Sequence, residues 1–296
     1  MTTGLKHILA ATDFSAPARH AAARAAVIAA SHGATLDLVH VASLSPLERF
    51  ERIVAGIPHD LAHRVVQDAR DELDTLAAAL RQQHGVTPSA HVATGTVLEE
   101  LRASALALDT DLIVLGARGT SFMQHLLIGS TAERMVSKSQ RPMLVVKQAP
   151  HEEYRSVLVP IDLSAASLPA LLLARTMAPR ADIVLLHAYE VPFEGKLRYA
   201  GVDEQTFDYY QGAARLDAGD RLEQLCLAAG FSPGQVRGMV LHGRPLQHIL
   251  EQEQELECDL IVMGKHGDSA LEDLLLGSVT KHVLAQSQCD VLVSCT

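Results

Sequence analysis

Two stretches of this chain repeat one spacing of small residues. Gly116 and Gly119 are followed, after a nine-residue spacer, by Gly129-Ser130; Gly264 and Gly267 are followed in the same way by Gly277-Ser278. A glycine has no Cβ, so the first pair is expected to let the backbone turn off a strand and approach a ligand without a side chain in the way. Ser130 and Thr131 open a run of helix formers. The first amides of a helix lack intrahelical acceptors and sit at the positive end of the dipole, which makes a phosphate-holding site. The competing reading is that the glycines serve turns and Ser130 only caps its helix. A helix terminus contributes about 1 kcal/mol, whereas micromolar affinity needs about 8 kcal/mol. A base and a ribose must therefore supply the remainder.

Asp13 and Asp162 close two further apolar runs that match each other as Asp-x-Ser. Each carboxylate can accept from a ribose hydroxyl or an adenine amine, or simply cap the next helix. Beside phosphates it is repelled unless it faces the nucleoside or a divalent cation, so Mg²⁺ bridging the phosphates fits, with no protein ligand set to name. His40 and His187 end equivalent runs and read as satisfied core residues in preference to acid/base groups, since no partnered carboxylate or nucleophile is legible. There is no Gly-x4-Gly-Lys-Ser/Thr, no Gly-x-Ser-x-Gly and no His-Glu-x2-His. No catalytic residue and no protein metal site are assigned.

The elements that must position these residues come from a duplication. Asp111-Leu112-Ile113-Val114-Leu115-Gly116 answers Asp259-Leu260-Ile261-Val262-Met263-Gly264, and Leu36-Asp37-Leu38-Val39-His40 answers Ile183-Val184-Leu185-Leu186-His187. Five apolar runs per half, near 5–12, 35–42, 86–93, 111–116 and 142–147, then 155–161, 182–189, 235–241, 259–264 and 290–295, alternate with stretches of helical length. This alternation predicts an α/β fold of two tandem doubly wound domains, residues 1–149 and 153–296, each a five-stranded parallel sheet with helices on both faces. With strand order 3-2-1-4-5, the ends of strands one and four flank the point where the order reverses, which is where such sheets bind ligands. Segments near 43–60 and 190–212 interrupt the alternation. The second carries Phe193, Tyr199, Phe207, Tyr209 and Tyr210 and is expected to be packing for a longer connection, with a lid over a ligand or an inter-domain contact as the alternatives.

Composition narrows the partners. The 296 residues carry a formal charge of −10, without the basic excess that nucleic-acid binding requires. The N-terminus has no signal-type pattern and no apolar run reaches membrane-spanning length, so a cytoplasmic protein without a membrane partner is expected. Cys226, Cys258, Cys289 and Cys295 form no Cys-x2-Cys pair and are expected to be reduced.

Together, the strand-ending aspartates, the strand-ending His40-Val41 and His187-Ala188, and the two glycine loops resemble the universal stress protein family over nearly the whole chain. The resemblance implies an adenine nucleotide α-hydrolase-like fold and a bound ATP, ADP or AMP. At matching positions it puts Asp13 and Val41 against the nucleoside, Leu115 beside base or ribose, and Gly116, Gly119, Gly129, Ser130 and Thr131 around ribose and phosphates. In the second half the same roles fall to Asp162, Ala188, Met263, Gly264, Gly267, Gly277, Ser278 and Val279. It also implies that the two halves pair as a pseudo-dimer, with a homodimer as a further step, and that any ATP hydrolysis or autophosphorylation is weak. A stress-response regulator is the leading expectation. A slow ATPase and a nucleotide-free scaffold are the alternatives.

Overall fold

The computed structural model describes residues 4–43, 60–119, 129–190, 203–267 and 276–295. The chain divides into two compact units, Met1–Glu153 and Tyr154–Ser294. The first runs β1 (His7–Ala11), α1 (Ala16–His32), β2 (Thr35–Ala42), α2 (Leu61–His84), β3 (Ser89–Thr94), α3 (Val97–Ala107), β4 (Leu112–Gly116), α4 (Ser130–Lys138) and β5 (Met143–Val146). The second runs β6 (Ser156–Pro160), α5 (Ser167–Met177), β7 (Asp182–Tyr189), α6 (Glu204–Ala228), β8 (Arg237–His242), α7 (Pro245–Glu255), β9 (Leu260–Gly264), α8 (Ser278–Gln286) and β10 (Asp290–Ser294).

Within each unit every pairing is parallel, in the orders β3-β2-β1-β4-β5 and β8-β7-β6-β9-β10. This is the 3-2-1-4-5 arrangement, twice. In the first unit α1 packs with α2 and α3 with α4, one helix pair for each face. Strands covered on both faces cannot alternate polar and apolar: Ile8, Leu9 and Ala10 of β1 and Leu112 to Leu115 of β4 are all buried. The strands β3 and β8 lie at the far ends of those orders and stay partly exposed. β3 starts later than its apolar run because Pro88 has no N–H to donate, and Ser89 takes up the register opposite Asp37.

The first helix shows how local signals become packing. Ser15 accepts from the Ala18 amide at 3.3 Å, Pro17 occupies the first turn, and Gly33 stops the helix at φ 65, a left-handed conformation that costs glycine least. Its inward face is Ala18, Ala21, Ala22, Ala25, Ala26 and Ala29, all buried. Side chains that small bring the helix backbone close to β4. The counterpart α5 begins only at Ser167 and lacks a side-chain cap.

An aspartate clamps the start of each central strand. Asp111 Oδ2 accepts from the amides of Lys6 (2.8 Å) and His7 (3.0 Å), and Asp259 accepts from Arg155 (2.7 Å) and Ser156 (3.2 Å). In the second unit the Glu253 carboxylate, buried on α7, accepts from the amides of Gln288 (2.6 Å) and Cys289 (2.7 Å) and fixes the entry to β10. Asp290, which stands where the first unit has Pro142, is buried and accepts from the Tyr154 hydroxyl at 2.7 Å.

One expectation about packing does not hold. Tyr209 and Tyr210 are 74% and 55% exposed on α6, and meet only edge to face, with centroids 6.1 Å apart. α6 turns Ala218 and Leu222 inward instead. Phe193, Tyr199 and the side chain of Phe207 lie outside the described residues, as do the segment 44–59 and the loop spacers 120–128 and 268–275.

All four cysteines are free thiols. Burial pushes the Cys258 thiol from its ordinary 9.0 up to about 11. At pH 8 only about one molecule in a thousand then carries the reactive thiolate. Ellman's reagent should therefore leave Cys258 unmodified in the native protein and titrate it in urea. Rapid native labelling of Cys258, read by peptide mass analysis, would contradict this. The unfolded chain loses this proton first, so the thiol's contribution to stability is full below pH 9.0 and falls away between pH 9.0 and about 11.

Candidate functional site

Strands β1 and β4 end side by side because β1 is the central strand, paired with β2 on one side and β4 on the other. The connections leaving them diverge. In the first unit they open a cavity of about 660 Å³, within the range of a small-molecule site. It is lined by all eight residues expected in this half: Asp13, Val41, Leu115, Gly116, Gly119, Gly129, Ser130 and Thr131.

The turn after β1 is held by its own polar groups. The Phe14 amide donates to Thr12 Oγ1 (3.0 Å) and the Ser15 amide to Asp13 Oδ1 (3.1 Å). Between them Phe14 is forced to φ 63, a conformation uncommon for any residue with a Cβ. Leu163 has the same φ of 63, beside a Ser164 amide that donates to Asp162 Oδ1 at 3.0 Å. The same unusual backbone thus recurs at the equivalent turn of both halves.

The loop glycines are needed for a different reason from the one their spacing suggests. None of the six has a positive φ. What Gly116, Gly119, Gly264 and Gly267 lack is room, whereas a Cβ on Gly129 would make ordinary contact with the Ala117 carbonyl oxygen at 3.4 Å. A Cβ on Gly116 would stand 2.9 Å from the Pro17 carbonyl carbon and oxygen of α1, and a Cβ on Gly119 would stand 2.6 Å from Asp13 Oδ2. The second unit repeats this at Gly264, 3.0 Å from the Ala166 Cβ, and at Gly267, 2.5 Å from Asp162 Oδ2. So Gly119 and Gly267 seat the loop directly on the carboxylate of the β1 or β6 turn.

The far end of each loop is tied back by the Gly129 amide, which donates to the Ala117 carbonyl (2.7 Å), and by the Gly277 amide, which donates to that of Lys265 (3.0 Å). Gly129 and Gly277 are themselves the N-caps of α4 and α8, and neither end has a side-chain cap. Ser130 and Ser278 are thus the first helical residues and not caps. The uncapped first turn of α4, from Gly129 to Ala132, borders the cavity, an arrangement suited to an anion.

Several lining residues carry no loop signal. Val65, Asp68, Ala69 and Glu72 of α2 border the cavity, and their spacing is a single helical stripe, the one clue the sequence offers. Arg19 joins this wall to the turn, donating Nε to the Phe14 carbonyl (3.1 Å) and Nη2 to Glu72 (2.7 Å). Carboxylates of Asp13, Asp68 and Glu72 thus enter from the β1 turn and α2, whereas Arg118 and the α4 amides enter from the glycine loop.

His40 and His187 are satisfied as expected. Their Nδ1–H groups donate to the carbonyls of Thr12 (2.9 Å) and Ile161 (2.8 Å); a carbonyl only accepts, so the proton sits on Nδ1. His40 nevertheless also borders the cavity. No group of three or more potential metal ligands occurs among the described residues, and no helix among them is long and apolar enough to cross a membrane.

In the second unit Asp162 and Gly267 meet as described, and Ala188, Met263 and Gly264 lie at the carboxyl ends of β7 and β9. Gly277, Ser278 and Val279 form the start of α8. Asp162 Oδ1 also accepts from the Ser167 hydroxyl at 3.1 Å.

Both halves match the family model described as the universal stress protein family, over residues 4–147 and 153–294. A universal stress protein of Mycolicibacterium smegmatis is 26% identical over 303 aligned residues, covering 97% of this chain and 96% of its own. Universal stress protein A homolog 1 of Coxiella burnetii is 34% identical over 143 residues, covering 48% of this chain and 95% of its own. The crystal structure of a universal stress protein from Archaeoglobus fulgidus has the same fold, with a TM-score of 0.66 at 18% identity over 97% of each chain.

Proposed function

The chain belongs to the universal stress protein family, and from that premise we propose that its N-terminal half binds an adenine nucleotide, ATP, ADP or AMP, as the signal of a cytoplasmic stress-response regulator. The observation that carries this reading is the cavity of about 660 Å³ in which Asp13, Val41, Leu115, Gly116, Gly119 and Gly129 converge on one uncapped helix start. Asp13 and Val41 would hold the nucleoside and the Gly129, Ser130 and Thr131 amides the phosphates, with Mg²⁺ supplying countercharge when ATP is bound. Asp162, Ala188, Met263, Gly264, Gly267, Gly277, Ser278 and Val279 form the corresponding second site. The pairing of halves, and of chains, that the family resemblance implies belongs to the same proposal, with sedimentation as its measure.

Nucleotide analysis of the denatured, purified protein tests the reading. Adenine nucleotide at one or more per chain is the expected result. Two per chain would make the halves equal, and none, with no binding by calorimetry, would remove the proposal.

A further inference from the structure

Phe14 and His40 stack on each other, centroids 4.4 Å apart and planes within 25°, and both border the cavity. Neither ring is free to drift. Phe14 is fixed by the left-handed turn and by Arg19 on its carbonyl, and the His40 ring is fixed by its Nδ1 bond to the Thr12 carbonyl. The second half keeps the histidine, with the same bond, but has Leu163 in place of the phenylalanine. The fold therefore accepts an aliphatic residue at this position, and the aromatic pair is a private addition of the first half.

Resting on the nucleotide reading above, we infer that the Phe14–His40 pair is a preorganised stacking platform that selects a purine over a pyrimidine in the N-terminal site. Stacking on an aromatic face rises with the area of the base, and it reads ring size without consuming any hydrogen bond. A pair already stacked and anchored gives up little side-chain freedom when a base joins it. The second half, without the phenylalanine, has weaker means of discriminating between bases.

The test substitutes Phe14→Leu, which installs the second half's own residue at the same backbone angle, and compares ADP with UDP by calorimetry. Purine and pyrimidine nucleotides share ribose and phosphates, so their affinity ratio isolates the base. F14L should lower ADP affinity about five- to tenfold, affect UDP much less, and leave the unfolding midpoint near that of the native chain. Native binding with an ADP-to-UDP ratio that F14L does not move would overturn the platform and leave the nucleotide reading standing. A native chain that binds neither nucleotide would overturn both.

Discussion

Gly119→Ala is expected to cost the N-terminal site about ten- to a hundredfold in adenine nucleotide affinity while leaving the unit folded. The added Cβ would stand 2.6 Å from Asp13 Oδ2. Asp13 is short, and its other oxygen already accepts from the Ser15 amide, so it cannot swing aside without undoing the turn. Either the carboxylate leaves the nucleoside or the loop lifts away from it. Losing one hydrogen bond to a charged group is worth about 1.5–3 kcal/mol, which sets the size of the effect. Isothermal calorimetry of the variant checks it, beside a urea titration to show that the fold is kept. Native affinity in G119A would mean that the contact between loop and aspartate has no part in binding.

The second large effect concerns stability and lies far from any glycine loop. Glu253→Ala should destabilise the second unit by about 3 kcal/mol, because two amides that now donate to a buried carboxylate would be left without an acceptor. Glu253→Gln keeps an acceptor oxygen and should recover a large part of the loss. Urea unfolding followed by circular dichroism resolves this, and a loss below about 1 kcal/mol for the alanine variant would show that water replaces the carboxylate.

These two residues mark what was legible in the sequence and what was not. The strands announced themselves because a parallel sheet buried on both faces needs unbroken apolar runs, and Leu112–Leu115 or Val157–Val159 admit few other fates. The glycine spacing and the aspartates were equally visible, and in the first half the structure brings them to one cavity. The reason for the glycines was not visible, since close approach between Gly119 and Asp13 joins residues over a hundred positions apart. Glu253 was hidden by its neighbours: within Glu251-Gln252-Glu253-Gln254-Glu255 it reads as one more solvated charge. In the first unit the equivalent task falls to Ser139, whose hydroxyl accepts from the Arg141 amide at 3.0 Å, so even the internal repeat gave no hint. The exposed Tyr209 and Tyr210 depart from expectation for the converse reason. Aromatic content suggests burial, but burial on α6 is set by which stripe meets the sheet, and that stripe is Ala218 and Leu222.

The Asp111 clamp has a consequence for synthesis. Strand β1 leaves the ribosome before β4, and the carboxylate that receives its opening amides lies 105 residues behind Lys6, as does its second neighbour, β4. At roughly 5–20 residues per second, the nascent strand waits roughly 5–20 s with one edge open. The same delay recurs between Arg155 and Asp259, 104 residues apart. Each half thus has its own interval during synthesis in which a central strand stands unprotected.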